Sequence, residues 1–146
     1  MTTPWLDGCE MAAWRGFTAA HARLVALLDL ELEAEHGLSL GEYEVLAVLS
    51  EVPEQRMRMT ELAHRALVSP STLTRRLDRL AGRGLVDRQR CATDARGMFA
   101  VLTEAGRAQL VEAAPTHLRG VRHHFFDRLA PGQLAALTGV VERIAP

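Results

Sequence analysis

Residues 69–82, SPSTLTRRLDRLAG, decide how this chain of 146 residues is read. Ser69 followed by Pro70 is a helix start: a hydroxyl able to accept an unpaired N–H, then a ring already set to helical φ. At about 100° per residue, with Leu73 at zero, Leu77 and Leu80 fall within about 40° of it and form the inward side. Ser71, Arg75, Arg79 and Thr72 fall at about 160°, 200°, 240° and 260° and face outward, flanked by Thr74, while Arg76 leans back toward the body. Short hydroxyls in the first turn with arginines one and two turns later suit a helix that enters a DNA major groove. The small side chains permit close approach, and arginine pairs with guanine edges or holds phosphate. Alone, the pattern better suits an ordinary amphipathic surface helix. The neighbouring segments decide between them.

On the N-terminal side, Thr60 opens a short helix over 61–66, after a loop over 51–58. On the C-terminal side, Gly84 turns the chain into a strand through Leu85, Val86, Asp87 and Arg88. A polar tip over 91–97 leads to a second strand, Met98–Leu102, and the two strands make a β-hairpin. Arg88 and Arg90 lie on it, and its tip reads Asp94-Ala95-Arg96-Gly97. A lone arginine at a tip can enter a narrow, strongly negative minor groove, with Asp94 fixing an arginine's direction; the alternative is a solvated turn.

Farther out lie longer helices. Residues 10–35 carry one apolar stripe, Trp14, Phe17, Leu24, Leu28 and Leu32, with His21 filling its gap, and His36-Gly37 ends it. Ser39 and Glu42 form a capping box for a second helix, with Tyr43, Leu46, Ala47 and Leu49 inward, which stops before Pro53. Thr103 caps a helix through Leu110 and Val111 that Pro115 should kink or interrupt, before apolar spacing resumes at Leu118, Val121, Phe125 and Leu129. A final helix after Pro131 carries Leu134, Leu137, Val140, Val141 and Ile144. The expected fold is mostly α with a small β-hairpin wing: a winged helix-turn-helix between long apolar helices.

Charge agrees with this order. Residues 56–96 hold ten of the 17 basic residues and four of the 18 acidic ones, a net +6 against −7 for the remainder. A basic block on an acidic body is the footprint of a nucleic-acid-reading module, although a solvated arginine face would carry the same charge. With 48% hydrophobic residues, no basic-apolar leader and no long apolar run, the chain is expected to be globular, cytoplasmic and outside the membrane. Cys9 and Cys91 have neither disulfide-framework nor zinc spacing.

Several stretches together resemble the MarR (multiple antibiotic resistance regulator) family in order and spacing. They are Ser69-Pro70-Ser71-Thr72-Leu73-Thr74-Arg75, Leu77-Asp78-Arg79-Leu80, Gly84-Leu85-Val86, Asp94-Ala95-Arg96-Gly97 and Leu102-Thr103-Glu104-Ala105-Gly106. The stretch 38–46 also matches the family's second helix. The resemblance covers nearly the whole chain. It implies a homodimer whose terminal helices, 10–36 and 104–146, interlock, and whose winged helix-turn-helix lobes, 39–103, bind palindromic double-stranded DNA. The residues placed on DNA are Ser69, Ser71, Thr72, Thr74, Arg75, Arg79, Arg88, Arg90, Asp94 and Arg96. It also implies repression relieved by a small aromatic or phenolic effector, for which Trp14, Phe17, His21 and Tyr43 are the pocket candidates; core packing accounts for the same residues.

Other classes fare worse. No nucleophile with its base, phosphate loop or paired buried carboxylates survives placement on these helices, so no enzyme and no cofactor is expected. His117, His123 and His124 lack metal-ligand spacing and a carboxylate neighbour. A cysteine peroxide switch, as in one branch of the family, would need a cysteine near Arg15 and supporting tyrosines; only Tyr43 is present, which leaves Cys91 beside Arg90 as the redox alternative. A winged-helix dimer acting through protein contacts is the other.

Overall fold

Helix α1 (Gly8–His36) runs unbroken because no proline falls within its 29 residues, and it ends where Gly37 takes φ 64°. This is the computed structural model of the chain, which describes residues 4–93 and 97–145. Ser39 then opens α2 (Leu40–Ser50) with the expected capping box. A 3-10 turn (Pro53–Gln55) leads to β1 (Arg56–Arg58), α3 (Met59–Arg65), α4 (Pro70–Gly82), β2 (Val86–Arg90) and β3 (Met98–Leu102). Helix α5 (Glu104–His124), a second 3-10 turn (Phe126–Arg128) and α6 (Gln133–Ile144) complete the order.

The hairpin is wider than its sequence suggests. Strand β3 lies between β2 and β1, and β1 pairs Arg56 with Val101, Met57 with Ala100 and Arg58 with Phe99. The stretch expected to be loop is thus partly strand. Three residues are too few to show alternation, yet Met57 is buried between exposed Arg56 and Arg58, because the free edge of β3 supplies partners that the local sequence does not announce. The chain enters α3 directly from that strand, so Arg58 rather than Thr60 stands at its N-cap, with no side-chain cap bond. Pro115 does not interrupt α5. Its missing N–H leaves the Val111 carbonyl without a helical partner, on a face where Val111 is exposed and water can take that role.

Two compact units emerge: Asp29–His117, and the residues up to Leu28 together with those from Leu118 on. In Asp29–His117, α2 is buried almost all round through Leu40, Glu42, Tyr43, Val45, Leu46 and Leu49, and the core continues with Leu62, Leu73, Leu77, Leu80 and Val86. Gly106 has a steric reason. A Cβ there would fall on the Leu85 carbonyl and come within 2.8 Å of Leu102 Cδ1, so only glycine lets α5 begin against the base of the hairpin. Thr103 fixes the same junction: its hydroxyl donates to the Gly84 carbonyl at 2.7 Å and accepts the Gly106 N–H at 3.0 Å.

Candidate nucleic-acid interface

The N-terminus of α4 is built from hydroxyls. Ser69 caps it, accepting the Thr72 N–H at 3.2 Å and donating to the Thr72 hydroxyl at 3.0 Å, with the Ser71 hydroxyl 3.1 Å away. Arg75 Nη2 reaches Thr72 Oγ1 at 3.5 Å, whereas the Thr74 hydroxyl turns back onto the Pro70 carbonyl at 2.9 Å. Leu73, Leu77 and Leu80 are buried beneath, and Ser71, Thr74, Arg75 and Arg79 are exposed above, with Thr72 half-buried. A capped N-terminus with outward hydroxyl and guanidinium donors suits phosphate and base edges alike.

The described arginines of the basic block divide by what they touch. Arg76 lies over Gly41, which has no Cβ to meet its guanidinium, and its Nη1 is buried without a partner among the described residues. Arg83 donates to the Gly37 carbonyl at 2.7 Å and tethers the end of α4 to the end of α1. Arg88 pairs with Asp78 and braces the hairpin against α4, so of the two strand arginines expected on DNA it is the one already engaged; Arg90 is exposed. Arg79 Nε lies 2.9 Å from Glu42 Oε1 while 63% of its side chain remains exposed. Part of the +6 therefore holds the lobe together. Asp94 and Arg96 fall outside the described residues.

Two arginines counted in the basic block were given no site role from the sequence. Arg56 and Arg58 flank buried Met57 on β1, with their guanidinium carbons 4.3 and 5.5 Å from the centre of the Phe99 ring. Arg58 Nη2 also donates to Cys91 Sγ at 3.5 Å. The exposed-buried-exposed triplet Arg-Met-Arg was the available signal.

The effector candidates separate. Tyr43 is buried, its ring 4.5 Å from that of His117; burial pushes the Tyr43 phenol up from its ordinary value and the His117 imidazole down from its own. Trp14, Phe17 and His21 are exposed. None of the four lines a cavity of about 550 Å³ formed by Ala20, Arg23, Leu24, Leu27, His123, His124, Phe125, Arg128 and Leu129. Among the described residues no group of three or more His, Cys, Asp or Glu is placed to hold a metal ion, and no helix is long and apolar enough to cross a membrane.

The chain is similar to known proteins in sequence and in fold. A family model described as the MarR family matches residues 36–97. The HTH-type transcriptional repressor YetL of Bacillus subtilis (strain 168) is 38% identical over 115 residues, 77% of this chain and 69% of that one. Among solved structures, AbsC, a MarR family transcriptional regulator from Streptomyces coelicolor, is 40% identical with a TM-score of 0.88, covering 98% of this chain and 96% of its own. Sco3205, a MarR family transcriptional regulator from the same organism solved in complex with DNA, is 38% identical with a TM-score of 0.91, covering 98% and 90%.

Proposed function

The chain belongs to the MarR family of transcriptional regulators, and from that premise we propose that it is a cytoplasmic, homodimeric DNA-binding repressor. It acts by binding and not by catalysis. The lobe 39–103 reads DNA, segments 10–36 and 104–146 join the two copies, and α4 of each copy enters successive major grooves of a twofold-symmetric site. One observation carries this: the Ser71–Arg75 face is outward and unburied while Leu73, Leu77 and Leu80 hold the helix from behind. Ser69, Thr72, Thr74, Arg79 and Arg90 border that face, and Asp94 and Arg96 are assigned to the wing tip. A small aromatic or phenolic effector relieves repression by favouring one spacing of the reading helices over another. Trp14, Phe17, His21 and Tyr43 stay the residues assigned to it.

Footprinting on the DNA upstream of the protein's own gene, repeated with a panel of aromatic acids, tests the reading. Arg75→Ala and Arg96→Ala should each cost roughly 1–3 kcal/mol of specific binding while the dimer stays folded. Unchanged anisotropy titrations for both variants at fixed salt would remove the reading face.

A further inference from the structure

Glu42 is the only buried charged side chain among the described residues, at 2% exposure. Its carboxylate is divided between two tasks. Oε2 accepts the Ser39 N–H at 3.0 Å and closes the capping box of α2, while Oε1 meets Arg79 Nε at 2.9 Å. A carboxylate held out of water needs its partners, so an Arg79 swung away would leave Glu42 with its cap bond alone. The Arg79 side chain is nevertheless 63% exposed, on the same outward side of α4 as Arg75. Contact through Nε leaves the four Nη–H donors of the guanidinium for another acceptor.

We propose that Glu42 is a positioning residue for DNA binding: it grips Arg79 by Nε, so that the Nη groups stand pre-aimed at the phosphate backbone beside the groove that α4 enters. The proposal rests on the DNA-binding reading above and adds a residue that itself never touches DNA. The gain is pre-organisation. A free arginine loses rotamer freedom when it binds phosphate, whereas one already fixed by a buried partner has lost it on folding. The rigid planar fork makes this possible, because one edge can be held while the rest is offered. A lysine has a single ammonium, which Glu42 would keep for itself.

The test uses the full chain and two labelled duplexes of unrelated sequence, titrated by anisotropy over a range of salt, with circular dichroism and Tm recorded for every variant. Arg79→Lys, which leaves Glu42 its charge partner, should weaken both duplexes about as much as Arg79→Ala, on the order of tenfold. The slope of log K against log salt should fall by about one per subunit in both. Glu42→Gln keeps an oxygen for the Ser39 N–H, should lose a similar factor on both duplexes, and should cost nothing more when combined with Arg79→Ala. Ser39→Ala removes the capping hydroxyl without touching the Glu42–Arg79 pair; it should lower Tm and leave DNA affinity unchanged.

Arg79→Lys binding like the unaltered protein, Glu42→Gln binding more tightly, or losses that add in the double variant would each overturn the proposal. An unaltered protein that binds neither duplex at low salt would instead defeat the DNA reading itself. If Arg75→Ala weakens binding while Arg79→Ala is silent, only the role of Glu42 falls.

Discussion

In Asp29–His117 the side chains of Leu46, Leu49, Leu62, Leu77 and Leu80 are closed off from water entirely, whereas in the described residues of the other unit only Gly120 is buried. The second unit is not short of apolar groups. Trp14, Phe17, Leu118, Leu134, Val140, Val141 and Ile144 are all exposed, Ile144 at 69%. One unit has finished its core within a single chain, and the other displays a core's worth of side chains with nothing to cover them. Large exposed apolar patches on a protein in water mark a surface that a partner covers, and the proposed second copy supplies one by presenting the same face.

The largest effect should come from the uncovered unit. Leu134 and Val141 lie two turns apart on one stripe of α6, so Leu134→Glu with Val141→Glu places two charges in the proposed interface. Sedimentation should show a monomer, and operator affinity should fall about a hundredfold or more, because two half-sites can no longer be held together. A dimer that survives this double change would show that α6 does not join the copies. In the closed unit, Leu77→Ala should cost about 2–5 kcal/mol of folding stability in urea titrations, through lost burial and the cavity left behind. It should leave the oligomeric state of the folded fraction unchanged. That contrast separates a core that belongs to one chain from one that is shared.

How far each region could be read from its sequence follows from the same difference. Helix α4 was legible from Ser69 at its cap to about Gly82 at its end, because cap, proline and apolar period all agree and its buried side faces its own chain. The stripe of α1 was equally visible, but only Leu32 on it is buried, since periodicity says that a face will be covered and not by which chain. Strand β1 was hidden because its pairing is imposed by β3, 40-odd residues on, and a buried methionine between two arginines is a weak local signal. Among the site residues, outward direction was legible for Arg75. The engagement of Arg79 by Glu42 and of Arg88 by Asp78 was not, since helical angles on one element say nothing about carboxylates on its neighbours.

A smaller effect is expected where α3 and α4 end by the same device with different residues. At the end of α4, Gly84 takes φ 71° while the Leu85 N–H reaches the Leu80 carbonyl at 2.9 Å. At the end of α3, Leu67 takes φ 55° while the Val68 N–H reaches the Ala63 carbonyl at 3.0 Å. This is the left-handed helix terminus that favours glycine, yet Leu67 occupies it with 89% of its surface exposed. Leu67→Gly relieves the strain of a side chain in that conformation and returns some of the gain as added freedom in the unfolded chain. The expected result is a stabilisation of about 0.5–1 kcal/mol by denaturant titration. A loss of stability would mean that Leu67 has a partner in the assembled protein.

The smallest effect concerns pH and again falls in the closed unit. His117 stacks against Tyr43 with its Nδ1 buried and without a partner among the described residues, and burial holds its pKa below the ordinary 6.5. In the unfolded chain the same imidazole takes up its proton near the ordinary value, so between that value and the lowered one the unfolded state binds more protons. Stability must therefore fall as pH drops through this window and level off above it. Urea midpoints taken from pH 7.5 downward should decline for the unaltered protein, and the decline should be shallower in His117→Gln, which has no proton to gain. Parallel curves for the two proteins would place the acid sensitivity elsewhere and leave the Tyr43–His117 contact with a packing role only.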